Sequence, residues 1–247
     1  MRFKLFIEYD GTRYSGWQKQ QNSKSIQETI SNVIFKVFKK TNGKNKLIDL
    51  QGSGRTDSGV HAFEQIAHLE CETNLAPHIF RMKINDELPS DINILKIDKV
   101  KSNFHARHSA KSRQYVYRIS RRRTAFEKKY VWWIKDNLDI EKMKSAARLF
   151  EGFNDFRSFT DKKNDAESTT VLVDELIIDS EGDIIKIRIK ASHFLWKMVR
   201  RIVGILAEVG RGNMNNTDIE NFLDIYSNEP SKFTAPPSGL FLEKVNY

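Results

Sequence analysis

LIDLQGSGRTDSGVHAFEQIAHLEC, residues 47–71, reads as two strands around one loop. Leu47–Leu50 and Phe63–Cys71 are rich in apolar residues at strand spacing. Gln51–Ala62 between them holds Gly52, Gly54 and Gly59, three of the chain's 12 glycines. Glycine lets a backbone turn tightly and approach other groups closely, at an entropic cost. Such a loop can hold Arg55 and Asp57 in a fixed pose. A carboxylate there can act as nucleophile, base or ligand, and a guanidinium can pair with phosphate or carboxylate. A plain Gly/Ser/Asp surface turn, with Asp57 bonded to nearby backbone, fits the same composition.

Working outward, the pair of strands falls inside a larger pattern. Phe3, Leu5, Ile7 and Tyr9 alternate on one face of a first strand, which Asp10-Gly11 ends. Ser25-Ile26-Gln27-Glu28 has the form of a capping box. Ile26, Ile30, Val33, Ile34, Val37 and Phe38 then follow at helical spacing, and Lys39, Lys40 and Gly43 close the helix. Ala76–Glu87 reads as a helix with Pro77 at its start, stopped by Pro89. Ile92–Val100 reads as a strand. The order strand-helix-strand-strand-helix-strand is that of a split βαβ, ferredoxin-like or RRM-like half.

The same order recurs in the second part. A strand with Tyr115, Tyr117 and Ile119 on one face precedes a helix capped by Asp139. The polar stretch Lys162–Ser168 reads as a mobile connection. Val171–Asp179 and Asp183–Ala191 form a hairpin across Ser180-Glu181-Gly182. Phe194–Val209 reads as a buried helix carrying Lys197, Arg200 and Arg201, and a short helix starts at Thr217 or Asp218. Leu240–Val245 is a last strand after Pro236-Pro237-Ser238-Gly239. The expectation is an α+β chain of two ferredoxin-like halves, residues 1–104 and 105–247. They are expected to join into one wide, mainly antiparallel sheet, helices on one face and a cleft on the other.

The chain's 247 residues carry a net charge of +9 and a pI near 9.5, which favours a polyanionic partner. The charge is concentrated. From Phe104 to Phe126 there is no acid, while Arg107, Lys111, Arg113, Arg118, Arg121, Arg122 and Arg123 are all present. Aromatics interleave with them, which suits phosphate contact with base stacking. A second mixed segment, YDGTRYSGWQKQ, offers Arg13, Trp17 and Gln18 for nucleic acid, or a loop with Trp17 tucked into the core. A single cysteine, Cys71, rules out an internal disulfide and a cysteine zinc site, and fits a reducing cytosol. No apolar block marks a leader or a membrane span. His61 and His68 lie near the loop without a third ligand at metal spacing, so no metal is expected; both read as structural or RNA-contacting.

GRTDSGVHA resembles the signature loop of the TruA-type pseudouridine synthases, G-R-T-D-x-G-V-H-[AG]. YDGTRYSGWQ is similar to that family's opening, FLWKMVRRIVG to its F-[LV]-x-x-M-V-R-x-[IM]-V-G, and APPSGLFL to its A-P-x-x-G-L-x-L. The Trp196-Lys197 pair departs from the pattern, which puts fine substrate choice in doubt. The resemblance implies an isomerase that turns uridine into pseudouridine in the anticodon stem-loop of tRNA, on its 3′ side. It implies a cytoplasmic homodimer that uses no cofactor. Asp57 is then the catalytic carboxylate and Tyr115 the stacking or proton-handling ring. Arg200 is the partner of Asp57, Arg55 and Leu240 line the substrate, and Arg13, Trp17, Gln18, His61, Arg107, Arg113, Arg121, Arg122 and Arg123 contact RNA.

Two other classes compete. A non-catalytic pair of RRM-like halves explains the charge and the aromatics but gives Asp57 no task. A phosphatase of the HAD type is suggested by Glu8-Tyr9-Asp10-Gly11-Thr12, but that motif needs an aspartate where Glu8 stands.

Overall fold

A computed structural model describes residues 1–161 and 168–247. Most of the connection expected at Lys162–Ser168 therefore lies outside the described residues. The chain is α+β, and its described residues form ten strands paired mainly antiparallel. It divides into two compact units. One comprises Met1–Lys111 with Leu242–Tyr247, the other Ser112–Phe241.

The first unit runs β1 (Arg2–Tyr9), α1 (Ile26–Lys40), β2 (Lys46–Gly52), β3 (His61–Glu72), α2 (Pro77–Asn85) and β4 (Ile92–Val100). This is the expected order. The strands lie side by side as β4-β1-β3-β2, all antiparallel. Every second residue of β1 is buried: Phe3, Leu5, Ile7 and Tyr9. They meet the apolar stripe of α1 and Phe80 of α2; Phe80 lies 5.3 Å from Phe38 and 6.1 Å from Phe3, ring to ring. Ser25 caps α1 by accepting the Glu28 N–H at 3.3 Å. The Glu28 carboxylate lies 3.5 Å from Lys19. In β1 a bulge between Ile7 and Tyr9 shifts the register with β3. It sets Tyr9 opposite Ala62, just beyond the glycine-framed loop.

The second unit runs β5 (Ser112–Ser120), β6 (Trp132–Trp133), α3 (Ile140–Ala147), β7 (Gly152–Asp155), β8 (Thr170–Glu181), β9 (Ile184–Ala191), α4 (Met198–Arg211), α5 (Asn216–Asp224) and α6 (Glu229–Lys232). Its main strands lie in the order β5-β9-β8-β7, antiparallel throughout, with β6 parallel to β5. The last strand, β10 (Leu240–Asn246), starts in this unit and ends in the first. Several boundaries differ from expectation, and two have a plain local cause. Helix α4 begins at Met198 because Lys197 before it is left-handed, φ 62°. Helix α5 begins one residue before Thr217 because Asn215 and Asp218 form a reciprocal capping box around Asn216 and Thr217.

Cys71 sits on β3 with no exposed surface, and burial pushes its thiol up to about 11. Only the thiolate reacts with alkylating reagents. Iodoacetamide at pH 8 should therefore leave Cys71 unmodified in the native protein and modify it rapidly in denaturant. Rapid labelling of the native protein, read by mass spectrometry, would contradict this burial.

Candidate active site

The loop from β2 to β3 is fastened to the segment that follows β1. The Trp17 amide donates to the Thr56 carbonyl at 3.1 Å. The Tyr14 carbonyl accepts from the Gly59 amide at 3.3 Å and from Ser58 Oγ at 3.2 Å. Asp57 is thus held by its neighbours on both sides, and its own carbonyl accepts the Val60 N–H at 3.2 Å. The Thr56 hydroxyl reaches inward to Tyr9 Oη at 2.8 Å. Burial raises the pKa of that phenol well above its ordinary value and keeps it protonated. At the base of the loop Ser53 Oγ donates to Gln65 Oε1 at 2.7 Å, and Gln65 Nε2 donates to the Gly54 carbonyl at 3.2 Å.

Close backbone approach explains two glycines. Gly16 has φ 95°, and a Cβ there would run into the Thr56 carbonyl. At Gly52 a Cβ would lie 2.6 Å from the Trp17 indole. Gly54 has open space instead. Asp57 is half-buried and Arg55 is exposed.

Trp17 and His61, expected at an RNA surface, are each 1% exposed. Trp17 is the wall behind the loop, the core alternative its sequence left open. His61 Nδ1 accepts the Gly11 amide at 3.0 Å. The Asp10 carboxylate lies 3.1 Å from the same nitrogen. Asp10 also caps the short 3-10 turn Gly11–Arg13 through the Thr12 amide, and Glu8 accepts from Asn93 at 2.8 Å. The phosphatase-like motif is a capped turn. Gln18 is half-buried and donates to Gln27 at 2.9 Å. Arg13 is exposed and pairs with Asp91 at 2.6 Å. Among the described residues no cluster of His, Cys, Asp or Glu could hold a metal.

In the second unit Tyr115 and Tyr117 share a face of β5 with different surroundings. The Tyr117 hydroxyl donates to the Pro236 carbonyl at 2.8 Å, and its ring packs over Gly239. Tyr115 meets Phe194 edge-on, centroids 4.9 Å apart. Tyr117 thus packs the Pro236–Gly239 turn, while Tyr115 is 9% exposed. Arg200 is half-buried; its Nε donates to the Ala235 carbonyl at 2.7 Å, and the Ala235 amide returns a bond to the Arg200 carbonyl at 3.0 Å. Leu240 is 5% exposed. The fully buried arginine of α4 is the next residue, Arg201, at 2%.

The basic residues are partly neutralised. Arg122 Nε lies 3.1 Å from Asp183, and Arg121 bonds to the Gly182 carbonyl. The Arg123 guanidinium lies over the Trp133 ring at 5.8 Å. Arg113 donates to the Ser192 carbonyl at 3.0 Å, and Arg107 is exposed. Sequence reasoning passed over Asp161, which accepts from both Lys197 and Arg201. The available signal was two cations four residues apart in an apolar helix, a spacing that puts them on one face and calls for an acid between them.

The chain belongs to the tRNA pseudouridine synthase family, whose model matches residues 5–109 and 146–247. Asp57, Arg55, Arg200 and Leu240 lie inside the match, Tyr115 and Arg121–Arg123 outside it. The chain is 39% identical over 246 residues to tRNA pseudouridine synthase A 2 of Clostridium perfringens, covering 99% of this chain and 98% of that one. It is 41% identical over 251 residues to tRNA pseudouridine synthase A of Wolbachia pipientis subsp. Culex pipiens, with 100% of both covered. It is 37% identical over 259 residues to that of Thermodesulfovibrio yellowstonii, again with 100% of both covered.

The loop contacts predict opposite fates for two glycines. Gly16→Ala should lower the unfolding free energy by about 1–3 kcal/mol, as forced overpacking does, whereas Gly54→Ala should leave it near wild type. Urea denaturation of both variants measures the difference. Equal midpoints would mean the loop is not locked at Thr56.

Proposed function

We propose that the protein is a tRNA pseudouridine synthase in which the Asp57 carboxylate performs the chemistry. Uridine is isomerised by cutting its N-glycosidic bond, turning the base, and rejoining it through carbon. The base has to leave the RNA stack to be reached. Asp57 acts at the ribose, as nucleophile or as base for a sugar proton. Tyr115 supplies a ring for the displaced base. Arg200 supplies the positive charge that keeps the carboxylate ionised. Arg55, exposed at the loop, contacts the flipped nucleotide's backbone, and Leu240 lines its pocket. The target uridines lie on the 3′ side of the anticodon stem-loop. The working form is a cytoplasmic homodimer, and sedimentation of the purified protein measures its size.

The observation that carries this proposal is the fastening of Thr56 and Ser58. A connecting turn has no need of bonds on both sides of one aspartate. A reacting carboxylate does, since misplacement by about 1 Å can cost ~100-fold in rate.

Asp57→Asn keeps the side chain's size and removes its charge. It should fold and bind tRNA like wild type while forming no pseudouridine. Single-turnover release of tritium from C5-labelled uridine in tRNA, run beside a binding assay, separates the two properties. Turnover at the wild-type rate would return the loop to a plain turn.

Binding of tRNA should weaken steeply with salt. Each phosphate neutralised contributes a slope of ~0.9 in log affinity against log salt, and ~4–6 phosphates are expected along the basic segment. Changing Arg121, Arg122 and Arg123 together to Ala should flatten that slope. A dissociation constant indifferent to salt would remove the segment from the RNA surface.

A further inference from the structure

Asp161 follows the 3-10 turn Arg157–Phe159 in the second unit. Its Oδ2 accepts from Lys197 Nζ at 2.5 Å, and its Oδ1 accepts from the Arg201 guanidinium. Lys197 is the residue just before α4. It is left-handed, φ 62° and ψ 1°, and gives the helix no side-chain cap. A side chain with a Cβ is disfavoured in that conformation and persists only where its surroundings impose it. Arg201, one turn on, is buried; its Nη1 reaches the Ser158 carbonyl at 3.4 Å, and its Nε has no hydrogen-bond partner among the described residues. A buried guanidinium needs a counter-charge. One carboxylate meets both needs. Burial opposes its ionisation, but the Lys197 hydrogen bond and the Arg201 charge hold it below the usual carboxylate range.

Asp161 has a firm base. Phe159 beside it is fully buried, and Ser158 Oγ accepts the Ser227 amide at 3.0 Å. The segment it grips carries Arg200, which was given a role in the reaction above. Arg200 stands between the two cations that Asp161 holds, with its Nε and its carbonyl both committed to Ala235. A turn of the backbone at Lys197 would therefore pull Arg200 against the bonds that aim it at Ala235. Phe194, three residues before Lys197, is the ring against Tyr115.

We infer that Asp161 is a positioning residue for the reaction: by bridging Lys197 and Arg201 it fixes the first turn of α4 and hence the pose of Arg200 and Phe194. This rests on the function proposed above and adds a residue to it.

The test uses the full chain and unmodified tRNA transcript, with kcat, KM and the melting temperature measured together. Asp161→Asn should lower kcat about 10- to 100-fold, the scale of a small misplacement, and leave KM for tRNA unchanged. Glycine accepts the left-handed conformation without an anchor. Lys197→Gly added to Asp161→Asn should therefore restore most of the lost kcat. If Asp161→Asn does not fold, the double variant carries the comparison alone. Wild-type kcat in Asp161→Asn overturns the inference. So does a folded double variant whose melting temperature recovers but whose kcat does not, since Asp161 would then serve stability only. No pseudouridine from the wild-type protein would instead sink the proposed function, a result distinct from either.

Discussion

The bond from the Trp17 amide to the Thr56 carbonyl is the constraint on which the first unit's site depends. It requires two chain segments to touch backbone to backbone, which Gly16 permits. Once they touch, Trp17 is driven under the loop and Gly52 must be bare to receive it. Gln27 at the start of α1 then locks the layer, its amide donating to the Trp17 carbonyl at 3.0 Å and its Nε2 to the Leu50 carbonyl at 2.7 Å. Helix, strand and loop share one polar seam, and the aspartate rides on it. Backbone bonds on both sides of Asp57 stiffen the loop.

The second unit solves a similar problem by other means. There the substrate-facing candidates lie on a strand and a helix, and what must be fixed is how each is aimed. Tyr117 gives up its hydroxyl to Pro236 and so pins the turn that leads into β10. Ala235 and Arg200 exchange bonds across the same stretch. The motif that looks like a proline-rich connector is a clamp on the helix carrying Arg200.

The fold was legible where periodicity and caps agree. The alternation of β1, the stripe of α1 and the Asp139 cap each sufficed to place an element. Helix α4 was misplaced at its start because nothing in FLWK announces a left-handed lysine. The carboxylate that Lys197 meets is Asp161, distant in sequence, and local propensity cannot register it. The glycine-framed loop was legible as a motif, but what packs against it was not. Trp17 and His61 belong to residue types that suit RNA equally well as core, and only the closeness of Gly52 and Gly11 decides for the core. The choice between Arg200 and Arg201 likewise turns on which side of the helix meets the turn at Ser158.

Strand β10 gives the chain an unusual order of completion. Its residues from Leu242 onward belong with Met1–Lys111. Asn246 accepts the Lys111 amide at 2.8 Å, the Tyr247 hydroxyl donates to Ala106 at 2.8 Å, and Lys4 lies over the Tyr247 ring at 4.0 Å. The first unit to leave the ribosome is therefore the last to be finished, since these contacts wait for the whole second unit to be made. Closing so long a loop costs entropy before the contacts repay it. Until then the strand face around Lys4 and His68 stays open to solvent. Pulse-labelled exchange of the Lys111 amide would date that step.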